Sequence, residues 1–256
     1  NILNGRNKNI VYCPERIVQG KSIYELPRLP QIIAGKKKSS IVTTKKLFKK
    51  ITKKIIVTSV LEAELIKLFS NANRYINFSI ANQFYMICKE NNLDFSRIRK
   101  IMREGYERNL NLPVAGFTAG PCLLKDTMQI SSFYKNKFSL GHTAMQINEN
   151  LPKFLINDLK KKYNLKKKVF GILGLAFKAE IDDIRDSLSI KLVNYLKKMK
   201  FKVIQSDEYY QSEVNVSKEF LVKNSDVIVI AVPHNNYKKI KFPKNKIIVD
   251  VWGIRK

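Results

Sequence analysis

Between Leu61 and Asn91 neither glycine nor proline interrupts the chain, a run of about thirty residues. Apolar residues recur through it at Leu65, Leu68, Phe69, Ala72, Tyr75, Ile76, Ile80, Phe84, Ile87 and Cys88. That three-and-four spacing predicts one long helix, apolar on more than a narrow stripe. Such a helix is longer than one small domain can cover. It predicts a homodimer, with the Leu61–Asn91 helix paired against its symmetry mate.

The flanks have a different period. Residues 1–58 read as strand, loop, helix and strand: Ile10–Cys13 as a short buried strand, Ile32–Ala34 closed by Gly35, a Lys-rich helix over Thr43–Lys53, and a strand at Ile55–Val57. Residues 59–165 read as helical throughout, with further helices at Phe95–Glu104, Asp126–Phe133 and Leu140–Tyr163. A loop containing Pro113, Gly116, Gly120 and Pro121 breaks the series. From 166 to 256 strands alternate with helices: Val169–Leu173, Ser187–Met199, Lys202–Gln205, Glu219–Asn224, Val227–Val232 and Lys246–Val251. That alternation implies a parallel, right-handed, Rossmann-like sheet. The fold class is therefore α/β, with a helical middle between two α/β parts. The opening Asn-Ile-Leu-Asn, without Met, suggests a start inside a longer protein.

Charge and cysteine content narrow the function. The 256 residues carry 48 basic and 21 acidic side chains, a formal net charge of +27, which invites a nucleic-acid reading. Only 10 of the basic residues are Arg, the residue whose bidentate fork reads bases and phosphates. The lysines are spread over the whole chain, and the aromatic residues are not interleaved with them as a stacking platform requires. The charge is read as solvated surface, with some benefit for an anionic ligand, and neither a nucleic-acid nor a membrane partner is expected. Three scattered cysteines, Cys13, Cys88 and Cys122, make no disulfide framework and point to a reducing, cytoplasmic setting. No metal site is expected.

Three constellations could carry chemistry. In Gly120-Pro-Cys122-Leu-Leu-Lys125-Asp126 the thiol sits just after a tight turn and just before a helix, where N–H groups and the positive helix end favour the thiolate. Asp126, one turn on, could hold or activate a water. The alternative is an inert small residue at a helix start. Lys67 and Asn71 project from one face of the long helix, four residues apart, so that an ammonium and an amide could grip a developing oxyanion. Alternatively they are a solvated polar face. The loop Gly171-Ile-Leu-Gly174-Leu-Ala-Phe177-Lys178, followed by Asp182-Asp183-Ile-Arg185, lies after a first parallel strand, where phosphates bind. It lacks the full Gly-x-Gly-x-x-Gly fingerprint. Asp207 reads either as a ribose ligand or as a turn residue.

Taken in order, Tyr12-Cys-Pro-Glu15-Arg16, Glu62-Ala-Glu-Leu-Ile-Lys67-Leu-Phe-Ser-Asn71, Gly120-Pro-Cys122-Leu-Leu-Lys-Asp126 and Gly174-Leu-Ala-Phe177-Lys178 with Asp183-Ile-Arg185-Asp-Ser187 resemble the nucleotide-sugar 6-dehydrogenases. The resemblance covers essentially the whole chain. It implies the end of an NAD-binding domain (1–58), a central dimerisation and catalytic domain (59–165) and a UDP-binding domain (166–256). It also implies oxidation of a sugar C6 alcohol to a carboxylate with two NAD⁺ and one water. By that resemblance Cys122 is the nucleophile that carries a thioester, Lys67 and Asn71 stabilise the oxyanion, Asp126 serves the water and proton steps, and Glu15 is an acid/base or water holder beside the reacting carbon. Arg16, Ile17 and Val18 would touch the sugar, with Gly120, while Phe177 and Lys178 would meet the UDP part. Arg185 and Gln19 fall on the NAD side. Arg108 matches an arginine that crosses from a neighbouring subunit.

The departures are specific. The family's Gly-rich NAD loop and a catalytic Thr have no counterpart in these residues, so the chain alone is expected to be inactive. Gln19 stands where an acidic residue is common, and Ala119 where a glycine is frequent. Tyr-Cys-Pro-Glu-Arg resembles the branch acting on UDP-N-acetylmannosamine or UDP-N-acetylglucosamine more than the UDP-glucose branch. The product would feed surface-polysaccharide synthesis in a bacterial cytoplasm. A basic nucleic-acid-binding protein and a silent UDP-sugar-binding relic are the competing classes.

Overall fold

The computed structural model describes residues 9–118 and 120–255. The expectation at Ala119, and those drawn from the opening residues, lie outside them. The chain forms two compact units, one ending at Asn71 and the other beginning at Ala72, so that the division falls inside a helix.

The first unit holds β1 (Val11–Tyr12), α1 (Ser22–Glu25), β2 (Gln31–Gly35), α2 (Lys38–Phe48), β3 (Ile55–Thr58) and the start of α3 (Val60–Glu90). β2 is central: it pairs in parallel with β3, Gln31 opposite Ile55, and antiparallel with β1, Val11 opposite Gly35. Ile32 and Ala34 pack with Ala63 under Tyr12, Val60 and Ile66. Two expectations need correction. β1 is only half-buried and two residues long, because Ile10 is exposed and Cys13 turns out of the sheet. α2 lies five residues earlier than the predicted Thr43–Lys53 at both ends. Its exit is fixed by the buried Thr52, whose N–H reaches Phe48 O and whose hydroxyl donates to Leu29 O at 2.8 Å. The chain must leave the helix there to enter β3.

α3 begins with a capping box. Ser59 precedes its first turn, and Glu62 Oε2 accepts the Ser59 N–H and hydroxyl at 2.9 and 2.7 Å as well as the Thr58 hydroxyl. These donors, that of Thr58 foremost, hold the Glu62 carboxyl down to about 2. The rest of α3 has two aspects. Ala72, Tyr75, Ala81, Tyr85 and Cys88 are buried, whereas Phe69, Ile80, Phe84 and Ile87 are exposed.

In the second unit α4 (Phe95–Arg103), α5 (Leu123–Phe133) and α6 (Ser139–Lys162) precede β4 (Val169–Leu173), α7 (Leu188–Lys198), β5 (Lys202–Ser206), α8 (Lys218–Asn224), β6 (Val227–Ile230) and β7 (Ile247–Asp250). The four strands are all parallel, in the order β5-β4-β6-β7. The connection from β4 goes to one side of it and the return from β5 to the other. The carboxyl ends of β4 and β6 therefore form a switch point, where ligands of open α/β sheets bind. One core joins Phe170, Ile172, Val227 and Val229 to Leu188, Leu192 and Leu196 of α7 and to Leu151 and Leu155 of α6. Leu173, Ile228, Ile230, Leu221 and Tyr237 fill the opposite sheet face. β6 stops at Ile230, short of the expected Val232, because Ala231 and Val232 turn their N–H groups onto Leu173 O. Among the described residues no helix is long and apolar enough to cross a membrane.

Candidate active site

The candidate residues divide between the two units. In the first, Glu15 to Gln19 lie in the loop after β1. Glu15 accepts the Ile17 N–H, Glu25 accepts the Val18 N–H at 2.8 Å, and Arg16 donates to Pro30 O at 2.6 Å. Those bonds fold the loop over its own backbone and leave Glu15 and Gln19 exposed. Lys67 and Asn71 are half-buried, one turn apart on α3, as their spacing predicted.

In the second unit the Cys122 turn and the β4–α7 loop come together. Gly120 has φ +101°, and a Cβ placed on it would stand 2.5 Å from the Phe177 ring. Only glycine allows both the turn and the contact. Cys122 follows at the N-terminus of α5 with its thiol exposed, and its carbonyl accepts the Asp126 N–H at 2.9 Å, the first helical bond. The helix thus starts three residues before the expected Asp126. The Asp126 side chain is buried beneath this first turn. On the opposing loop, Phe177 N–H closes onto Asp183 O at 2.9 Å, and Asp183 chelates the Arg185 guanidinium through both carboxylate oxygens. That carboxylate raises the Arg185 pKa first through its hydrogen bonds and then through its charge, and Cys122 lies close enough to add to the effect. Lys178 is half-buried in the same loop. Arg108 stands apart, exposed in a single 3-10 turn, where it bonds the Tyr106 hydroxyl at 3.2 Å.

Asp207, left open between ribose ligand and turn residue, is a turn residue of unusual reach. Its Oδ2 accepts the N–H groups of Leu175 and Ala176 at 2.5 and 3.1 Å, and Oδ1 those of Tyr209 and Tyr210. Burial pushes its pKa up, but His234 and these backbone donors outweigh that and hold it at about 2. The carboxylate thus takes up the first two N–H groups after Gly174, so these are not free for a phosphate. In the first unit the described glycines are Gly20 and Gly35, and no Gly-x-Gly-x-x-Gly turn follows a strand there. The described residues therefore do not fit a complete NAD cradle, and no hydride step is assigned to them.

Sequence reasoning missed two residues that shape this region. Asn82 clasps Gly116 in the strap leading to Cys122, and His234 backs the loop of Phe177. The only sequence signal for Asn82 was a polar residue on the apolar face of a helix.

The parallel sheet, its switch point and the loops gathered at its carboxyl edge define the second unit as a Rossmann-like α/β domain. Models of one family match this chain twice: the central domain of the UDP-glucose/GDP-mannose dehydrogenase family over residues 61–150, and its UDP binding domain over residues 171–256. The chain belongs to that family. It is 29% identical over 259 residues to a UDP-N-acetyl-D-mannosamine dehydrogenase of Pyrococcus horikoshii, covering 96% of this chain and 62% of that protein. To the enzyme of the same name from Methanocaldococcus jannaschii it is 30% identical over 260 residues, covering 96% and 60%. The structure of the UDP-D-ManNAc dehydrogenase of Pyrococcus horikoshii superposes with a TM-score of 0.86 at 28% identity, covering 96% of this chain and 61% of that one. The chain spans 62% and 60% of the length of these two curated relatives.

Proposed function

We propose that these residues are the catalytic and UDP-binding portion of an NAD-dependent UDP-sugar 6-dehydrogenase acting on a UDP-N-acetylhexosamine, with UDP-N-acetylmannosamine ranked first. The observation that carries the reading is the seating of the Gly120 turn on Phe177. It sets an exposed thiol at a helix N-terminus against the loop that bears Lys178 and Arg185. The relatives' names support the choice of sugar, as does the Tyr12–Arg16 sequence.

In the proposed reaction the Cys122 thiolate adds to the C6 aldehyde and forms the C–S bond, and the carbonyl π pair moves to oxygen. The Lys67 ammonium and the Asn71 amide receive that oxyanion. Asp126 takes the proton of the water that hydrolyses the later thioester, which frees the carboxylate and the thiol. Glu15 stands by the reacting carbon, Arg16, Ile17, Val18 and Gly120 border the sugar, and Phe177 and Lys178 hold the UDP. NAD is the proposed oxidant of the whole protein, with Arg185 and Gln19 on its side. A cytoplasmic product serving surface-polysaccharide synthesis completes the proposal.

The whole protein is proposed to be a homodimer through α3, with Arg108 reaching a neighbouring subunit. The exposed Phe69, Ile80, Phe84 and Ile87 support this pairing, because such large side chains lower the free energy when covered. Light scattering at micromolar concentration tests it, and a monodisperse monomer contradicts it. The three domains are proposed at 1–58, 59–165 and 166–256.

The deciding experiment for function uses a fluorescent UDP on this chain. UDP-N-acetylmannosamine should displace the probe and a short DNA duplex should not. Displacement by DNA but not by the nucleotide sugar would return the chain to the nucleic-acid-binding class.

A further inference from the structure

We propose that His234 and Asp207 form a buried positioning pair that holds the 174–185 loop in the conformation that receives UDP. This rests on the reading of that loop as part of the UDP-sugar site.

The loop leaves β4 at Gly174, with φ +92°, and enters α7 after Ser187. It contains no regular secondary structure, so its shape depends on bonds to its neighbours. Its near half is held by Asp207 Oδ2, which takes the Leu175 and Ala176 N–H groups. Its middle is held by His234. The Nδ1 of that ring accepts the Glu180 N–H at 3.1 Å, and the Glu180 carboxylate returns a bond by accepting the Asn235 N–H at 3.0 Å. Glu180 has φ +64°, a left-handed conformation that costs a side-chain-bearing residue free energy and persists only where surroundings impose it. The two bonds to residues 234 and 235 impose it here.

The ring links these two anchor points. An Nδ1 that accepts a hydrogen bond carries no hydrogen, so the hydrogen sits on Nε2. Nε2 faces Asp207 Oδ2 at 3.4 Å, and both side chains have no exposed surface. Tyr209 stacks on the imidazole at 4.9 Å, and Tyr237 meets it edge-on at 5.1 Å. The ring is packed between these aromatic neighbours and has no surface open to water. Phe177 and Lys178 are slung between the two anchor points, and Phe177 is the ring on which the Gly120 turn rests. His234 touches no ligand in this arrangement. It acts through the loop.

The two nitrogens can be tested separately on this chain by titrating unlabelled UDP in a calorimeter. His234→Phe keeps the stacked ring and loses both polar contacts. His234→Asn restores an oxygen near the place of Nδ1. UDP affinity should fall about ten-fold or more in His234→Phe and recover only in part in His234→Asn, which regains the Glu180 contact but not the one to Asp207 and should stay about three-fold below wild type. Affinity unchanged in His234→Phe, or equally poor in both variants, overturns the proposal. Wild-type protein that fails to bind UDP overturns the reading of the site as well, and so separates the two failures. Should His234→Phe not fold, nuclear magnetic resonance of the wild-type chain decides. The Glu180 amide should show a scalar coupling across its hydrogen bond to His234 Nδ1, and UDP should slow exchange at residues 175–180. A ring hydrogen found on Nδ1 overturns the proposal.

Discussion

Asn82 takes both backbone groups of Gly116 with one side chain: Oδ1 accepts the N–H at 2.8 Å and Nδ2 donates to the carbonyl at 3.1 Å. The same Nδ2 reaches Asn148 Oδ1 at 2.8 Å, and Asn148 Nδ2 continues to Tyr75 O at 3.1 Å. Both amides are fully buried, so the network fastens α3, α6 and the strap before Cys122 with polar groups that water cannot replace. Asn82→Leu should leave the Gly116 N–H and the Asn148 oxygen without partners, while the Gly116 carbonyl keeps only the Thr118 N–H at 2.8 Å. The expected loss is roughly 3 kcal/mol or more, read from urea unfolding midpoints. A loss under about 1 kcal/mol would mean that the strap is not held by this amide.

Gly120→Ala and Gly105→Ala form a matched pair. Both glycines have positive φ, +101° and +64°, but nothing lies within 4 Å of a Cβ at Gly105, whereas one at Gly120 meets the Phe177 ring at 2.5 Å. Gly105→Ala should cost only the conformational penalty, about 1 kcal/mol. Gly120→Ala should cost about 1–3 kcal/mol more and weaken UDP binding, because Phe177 must move. Equal thermal shifts in the two variants would deny the contact its importance.

The parts legible in the sequence are those in which local pattern and burial coincide. α3 runs over Val60–Glu90 against the predicted Leu61–Asn91, because apolar spacing and the absence of breakers act together. β4 and β6 were found as short buried runs, since every residue of β6 is buried. α2 was displaced because its lysines extend past the helix in both directions, and what ends it is a long-range bond from Thr52 to Leu29. The Ser59–Glu62 capping box was written in the sequence and went unread. For Cys122, spacing located the residue at a helix start. That Phe177 would be its neighbour's support depends on contacts between distant segments, which no local pattern encodes. Asn82 and His234 are of that kind, polar, buried and defined by partners 27 or more residues away, whereas Asp207 adds such distant partners to a local turn that the sequence did offer.

Asp207 should leave an acid signature in stability. Its carboxyl is held at about 2 in the folded chain against 3.8 in the unfolded one. A depressed folded value stabilises above the unfolded pKa, and the contribution is lost as pH falls through the folded value. The window is therefore about pH 4 down to 2, with on the order of 2 kcal/mol at stake. Urea midpoints of the wild type should drop across that window more steeply than those of Asp207→Asn, which should already be weaker at neutral pH. Parallel pH curves for the two proteins would remove Asp207 as the cause.

The three thiols should separate by reactivity. Cys122 is exposed at the start of α5, where N–H groups not used within the helix point toward incoming charge. Cys13 is half-buried, and burial raises its pKa. Cys88 is buried among the core side chains of α3, and its pKa is raised first by burial and then by the charge of Asp94. Both therefore have less access and less thiolate than their ordinary values give, and the attacking species is the thiolate. Iodoacetamide near pH 8 should modify Cys122 first, by about ten-fold or more over either of the others, as followed by peptide mass spectrometry. Saturating UDP-N-acetylmannosamine should slow the reaction at Cys122 and leave Cys88 unchanged, because Cys88 lies in the core of α3, away from the proposed sugar site. Modification of Cys88 at the rate of Cys122 would show that the helix opens on the labelling timescale. Failure of the nucleotide sugar to protect Cys122, in protein that binds UDP, would place the sugar away from this thiol and leave the nucleophile unassigned.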